Sequence, residues 1–252
     1  MFAHRSTPVK YRKILYERYY TTHSGVEGTN AQRIHFEQQR RYFKREFEGL
    51  MPGDKSVRIL DIGCGTGSFV QAMRDAGYNH TQGIDLSPEQ VKMAGVFGVD
   101  GIELAEAADF LSLHHEEFDV VTAIDLIEHL TKDELMDFLQ VVFKALRPGG
   151  RVLFRTPNMD APQASVFAFA DFTHEVFLNK NSGMQIMQSA GYLNARVLPG
   201  LVFIENPVKE FFRRIIWFKY VLWRKLILFA SARTWDDVVF TPNLVLVGEK
   251  PH

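Results

Sequence analysis

The stretch that most constrains the fold is VRILDIGCGTGSF at residues 57–69, followed by GIDLS at 83–87. An apolar, β-branched run leads to an acid, three glycines follow at alternate positions, and a helix-compatible segment begins. That order dictates strand, tight turn, helix. Gly63, Gly65 and Gly67 admit backbone conformations that other residues avoid, and they let a ligand lie directly against the main chain. Asp85 ends the next strand, about 20 residues on, where a carboxylate can take both hydroxyls of a ribose. The spacing is Gly-x-Gly-x-Gly with Asp61 just ahead of it, not the Gly-x-Gly-x-x-Gly of dinucleotide sites. A pyrophosphate needs helix-end amides without negative charge nearby, whereas a ligand carrying an ammonium and a sulfonium gains from Asp61.

These residues resemble the class I S-adenosylmethionine-dependent methyltransferases. LDIGCGTGSF is similar to their first motif, GIDLS to their ribose-binding acid, AADF at 107–110 to their adenine-side acid, and LRPGGRVLFRTPN at 146–158 to their fifth-strand signature. The resemblance covers residues 57–158 and implies S-adenosylmethionine as the methyl donor. It assigns cofactor binding to Asp61, Gly63, Cys64, Gly65 and Gly67 in the turn, and to Asp85 and Leu86 after the second strand. Asp109, Phe110, Ile124 and Asp125 complete that set. It also implies the strand order 3-2-1-4-5-7-6, with strand seven antiparallel.

The residues themselves predict an α/β, doubly wound, mostly parallel sheet. Expected strands are 57–61, 81–85, 102–105, 118–125, 151–155, 195–204 and 243–249, and the fourth is almost continuously apolar, as a strand covered on both faces should be. Expected helices are 67–77, 87–97, 131–146 and 179–191. Ser87 and Thr131 stand as caps, and Pro148-Gly149-Gly150 reads as a turn. The predicted organisation is an N-terminal helical segment at 1–52, whose residues 1–30 form a lid over the cofactor or simply a tail, a cofactor-binding catalytic domain at 53–206 plus 236–252, and a helical insertion at 207–235.

The formal net charge of −1 gives no electrostatic case for nucleic acid, and no Asn-Pro-Pro-Tyr-like motif appears. Cys64 is the single cysteine, which excludes an internal disulfide and a cysteine metal cluster. At the N-terminus Lys10, Arg12, Lys13, Glu17 and Arg18 interrupt any leader-like apolar run, so a cytoplasmic location is expected. Residues 30–49 predict a helix on which Arg40 or Arg41 either reaches the methionine carboxylate of the donor or lies on a solvated face.

The insertion contains VKEFFRRIIWFKYVLWRKLILFASAR. On a helix, Glu210, Arg213, Arg214, Arg224 and Lys225 share a face with Trp217, Val221 and Leu228, while Phe211, Phe212, Ile215, Phe218, Leu222, Leu226 and Phe229 spread over the other. Charges recur too often for a spanning helix, which needs about 20 apolar residues. The pattern fits a helix lying on a membrane surface with arginines on anionic lipid, or one packed on the sheet or on a second copy of the protein.

Methyl transfer requires the acceptor atom behind the sulfonium carbon and a group to remove its proton. Two clusters fall at strand ends: Asp125-Leu126-Ile127-Glu128-His129 and Asp171-Phe172-Thr173-His174-Glu175. His174 is the expected general base, its ring oriented by Asp171 or Glu175, because an imidazole titrates near neutrality. His129 is expected to hold the turn. Asp125-x-x-Glu128-His129 also resembles the Glu-x-x-Glu-His element of ubiquinone-type O-methyltransferases, which opens a divalent metal site with His174 as a further ligand. The expected reaction is O-methylation of a lipid-linked or surface-glycan sugar, with a quinone-pathway phenol or a non-catalytic cofactor-binding scaffold as alternatives.

Overall fold

A computed structural model describes Arg12, Ile14, Leu15 and residues 29–252, so the expected lid at 1–30 falls almost wholly outside the described residues. A long helix α1 (Thr29–Phe47) and a short 3-10 turn (Glu48–Leu50) lead into an alternation of strands and helices. These are β1 (Ile59–Ile62), α2 (Ser68–Asp75), β2 (Thr81–Asp85), α3 (Pro88–Phe97), β3 (Ile102–Leu104), α4 (Ala107–Leu111) and β4 (Phe118–Ile124). After a second 3-10 turn (Ile127–His129) come α5 (Lys132–Ala145), β5 (Leu146–Pro157), α6 (Ala164–Ala168), α7 (Lys180–Ser189), β6 (Leu193–Pro199), α8 (Pro207–Ala230) and β7 (Asn243–Glu249).

The seven strands form one sheet of order β3-β2-β1-β4-β5-β7-β6. β1 pairs in parallel with β2 and β4, and β7 runs antiparallel between β5 and β6, as the resemblance implies. Alternation along β1 sends Ile59 into one apolar layer and Leu60 into the other. One layer lies under α5 and α7, with Leu139, Val142, Phe154 and Met187 fully buried. The opposite layer lies under α1 and α2, where Phe47 meets Phe69 edge-on at 5.4 Å between ring centroids. Burial of a side chain of that size contributes about 1.5–3 kcal/mol, so α1 is held as part of the core.

Local signals place most helix starts. The Ser87 side chain accepts from the Gln90 amide with Pro88 at the first helical position, and Thr131 and Glu134 form a reciprocal capping box. Pro148-Gly149-Gly150 is a bulge inside a longer β5, not a turn. Phe118 pairs with Leu146 but Val120 with Arg151, and the bulge is tied down by Gly149 N to the Lys250 carbonyl (3.0 Å) and Lys250 N to the Gly150 carbonyl (2.8 Å). β6 stops at Pro199, short of the expected 204. Gly200 still donates to the Asn243 carbonyl, but the Leu201 amide then turns away to the Glu46 carboxylate on α1. The one-turn helices α4 and α6 and the 3-10 turn at Ile127–His129 are too short to leave a periodic signal in the sequence.

Candidate active site

The turn after β1 is built by its glycines. Gly63, Gly65 and Gly67 hold φ of +69°, +56° and +78°. A Cβ on Gly67 would stand 2.9 Å from Val99 Cγ1, and one on Gly63 would stand 3.0 Å from Leu126 Cδ1. The amides of Gly63 and Cys64 both donate to the Ile84 carbonyl, which locks the turn against the end of β2. Asp85 closes it: its Oδ2 accepts from the Gly65 amide and its Oδ1 from the Ser87 amide, each at 2.8 Å. Cys64 is buried, and its Cβ fills the space that a side chain at Gly83 would occupy, so it packs the turn. Burial pushes its thiol well above the ordinary range.

Asp61 is buried beside this turn with Thr122 Oγ1 donating to its Oδ1 at 2.7 Å. Burial raises its pKa to about 7, and the neighbouring Asp85 adds to the rise. Asp85 is raised as well, again by burial. A buried and a half-buried carboxyl flanking a glycine cradle fit a ligand with an ammonium group and ribose hydroxyls. Around them the predicted residues differ in setting. Leu86 is 53% exposed at the mouth, Ile124 is half-buried, and Asp109 stands exposed on α4 with Glu106 capping its amide. Phe110 is buried and stacks on His114 at 4.2 Å between centroids, which turns its ring into the packing.

Asp125, at the end of β4, adopts φ +53° and is gripped by Arg155 from the adjacent strand. Arg155 Nε donates to Asp125 Oδ1 at 2.9 Å, a second nitrogen reaches Oδ2, and Nη1 reaches Glu46 Oε2 on α1 at 3.0 Å. Burial works against the guanidinium charge, but Asp125 and Glu46 outweigh it and hold it firmly protonated. Burial in turn pushes Glu46 up from the usual carboxylate range. Sequence reasoning left Arg155 out of the site; its signal is a cation that follows directly on the apolar run Val152-Leu153-Phe154. Arg40 and Arg41 serve elsewhere, Arg40 on Glu37 and Asp75 and Arg41 on Glu205. That is the solvated-face alternative.

The two acid-and-histidine clusters come together. The amides of Glu175 and Val176 donate to the Glu128 carbonyl at 2.7 and 3.0 Å, stitching the later loop onto the 3-10 turn. Thr173 Oγ1 donates to Asp171 Oδ1 at 2.7 Å, so at its 2.7 Å contact with His129 Nδ1 it must accept, and that nitrogen carries the proton. His174 Nδ1 donates to the Ala168 carbonyl at 3.0 Å. Neither Asp171 nor Glu175 takes the expected role of orienting His174. A main-chain carbonyl fixes that ring, Asp171 acts through Thr173 on His129, and Glu175 faces Arg12 at 3.8 Å. His174 thus keeps an Nε2 lone pair, and its ring stands 4.8 Å from that of His129.

Glu128 is buried and its Oε2 has no hydrogen-bond partner of normal geometry among the described residues, although the Thr156 hydroxyl lies beside its carboxyl; burial pushes its pKa well above the ordinary range, with Asp125 adding to the rise and Thr156 opposing it. One ligand atom from each of Glu128, His129 and His174 lies within 4.8 Å of the others. Asp125, expected in that set, is committed to Arg155. The divalent-metal donors would therefore be one carboxylate and two imidazoles.

A doubly wound sheet of this order, with a glycine turn and an acid at the carboxyl end of each of β1 and β2, defines a class I S-adenosylmethionine-dependent methyltransferase. Residues 35–195 match the family model described as a methyltransferase domain, and the chain belongs to that family. A ubiquinone biosynthesis O-methyltransferase of Hydrogenovibrio crunogenus is 31% identical over 142 residues, covering 54% of this chain and 55% of the relative. Its namesake in Idiomarina loihiensis is 28% identical over 173 residues, covering 61% and 68%. The chain spans about half the length of the first of these relatives. A solved S-adenosylmethionine-dependent methyltransferase from Archaeoglobus fulgidus shares the fold at 17% identity and a TM-score of 0.59, over 94% of this chain and 99% of that one. A structure of PigF with S-adenosylhomocysteine superposes with a TM-score of 0.60 at 15% identity, over 95% of this chain and 61% of that one.

Proposed function

We propose that this protein transfers a methyl group from S-adenosylmethionine to a hydroxyl oxygen of a lipophilic phenolic acceptor of the quinone-precursor type. One observation carries the reading: one ligand atom from each of Glu128, His129 and His174 converges within 4.8 Å, and the His174 Nδ1 proton is committed to the Ala168 carbonyl, which leaves its Nε2 to accept. The relatives named for ubiquinone biosynthesis support oxygen as the accepting atom, and favour a phenol over the sugar hydroxyl that the sequence alone ranks first. When bound, the cofactor supplies an electrophilic sulfonium methyl group. The protein's own residues then hold and aim. Asp85 takes the ribose hydroxyls, Asp61 faces the ammonium, and Arg155 fixes Asp125 at the cleft edge. His174 Nε2 receives the acceptor proton, because Nδ1 already donates to the Ala168 carbonyl.

A second reading is favoured by Glu128 Oε2, buried without a hydrogen-bond partner of normal geometry among the described residues. Glu128, His129 and His174 would hold a divalent ion, which would supply Lewis acidity toward the acceptor hydroxyl. One experiment tests both. Purified protein is analysed for bound metal, then assayed for labelled methyl transfer to a polyprenylated catechol and to a lipid-linked sugar, with and without chelator. Turnover of the catechol that survives chelation supports His174 as base, and turnover lost with the chelator and restored by Zn²⁺, Mn²⁺ or Mg²⁺ supports the ion. Methylation of the sugar alone would overturn the acceptor assignment.

A further inference from the structure

Helix α8 is oriented against the usual rule for a surface helix. It is well started, with the Asn206 side chain accepting from the amides of Val208 and Lys209 and Pro207 at the first position, and it runs 24 residues, about 36 Å. Yet none of its residues is buried. The partly covered stripe carries Glu210, Arg213, Arg224 and Lys225 among Trp217, Tyr220, Val221 and Leu228, with Glu210 and Arg213 paired at 2.6 Å. The apolar side faces out: Phe218 is 69% exposed, Trp223 62% and Phe229 72%, among Phe211, Ile216 and Leu222. The arginines expected on lipid mostly face the protein instead. An amphipathic helix normally buries its apolar stripe, and an exposed apolar face of this length marks a binding surface.

We infer that the outward face of α8 is the surface by which this protein lies on an anionic lipid bilayer. The helix carries six basic side chains against one carboxylate, Glu210, and that carboxylate is already held by Arg213 and Arg214. The exposed charges on the outward side and its margins, Lys209, Arg214 and Lys219, are all cationic. Lys219 stands in the middle of the apolar face near mid-helix. Two copies pairing antiparallel about a two-fold axis there would bring their Lys219 ammonium groups together in an apolar interface, whereas on a bilayer the same side chain extends to a phosphate. No helix among the described residues is long and apolar enough to cross a membrane, so α8 lies in the headgroup plane. The inference stands whichever acceptor is methylated.

The test uses the whole chain with vesicles of phosphatidylcholine, with and without phosphatidylglycerol, alongside light scattering for oligomeric state. Binding of S-adenosylhomocysteine by calorimetry reports the fold. The protein is expected to co-sediment with the anionic vesicles and to release with salt. The triple variant Phe218→Ser, Leu222→Ser, Trp223→Ser is expected to bind them about tenfold or more weakly with unchanged calorimetry, and Lys219→Glu to weaken binding to the anionic vesicles. Absence of sedimentation, equal sedimentation of the triple variant, or a dimer that this variant dissociates would each overturn the lipid assignment.

Discussion

The cofactor turn and the acceptor side of this molecule are built by opposite means. Around Gly63, Gly65 and Gly67 the turn is tied by main-chain amides to the Ile84 carbonyl and the Asp85 carboxylate, within β1, β2 and their turns, and is packed by Leu126 and Val99. The loop proposed to face the acceptor joins residues far apart in the chain, with His129 and Thr173 meeting across 44 positions, and it carries exposed Phe169 and Phe172. A rigid cradle suits a ligand that never changes, while a loop stitched onto that cradle can hold reacting groups and still admit a bulky partner.

The comparison is broken most directly at the junction. His174→Ala is expected to lower kcat on the order of a hundred- to ten-thousand-fold while leaving the Kd for S-adenosylhomocysteine unchanged, measured by single-turnover assay and calorimetry. Equal loss in both would mean that the acceptor loop also builds the cofactor site. Asp85→Ala removes the acceptor for the Gly65 and Ser87 amides and the expected ribose contacts, so the Kd should weaken by roughly a hundredfold.

The cofactor half is legible in sequence because its geometry is written in glycine spacing and one acid per strand end. The acceptor half is less so. The two histidines were visible as candidates, but the Thr173 bridge, the Ala168 carbonyl and the claim of Arg155 on Asp125 arise only when three strand ends meet. The direction α8 faces was hidden for a similar reason. A helical wheel separates two faces without saying which one the body covers.

Two substitutions, one in the turn and one on α8, separate the regions in stability. Gly67→Ala must place a Cβ at φ +78° against Val99 and should cost roughly 2 kcal/mol or more by denaturant unfolding. Trp223→Ser on the outward face of α8 should stay within about 0.5 kcal/mol. A subtler effect concerns pH. Asp61 keeps its proton in the fold up to about pH 7, where the unfolded chain has already released it. Its contribution to stability therefore falls as pH rises from the ordinary carboxylate range toward 7, and affinity for the cationic donor should rise across the same upper range. Asp61→Asn should flatten both profiles in thermal melts and calorimetric titrations.

The place of β7 carries a consequence for how the molecule is made. Residues 243–249 slot between β5 and β6, so two strands synthesised well before them wait with unsatisfied edges for a ribbon that emerges late. The left half of the sheet can consolidate on the ribosome, but the right half cannot zip until that ribbon arrives. A chain stalled or clipped ahead of residue 243 would leave β5 and β6 as sticky margins, prone to pairing with neighbours.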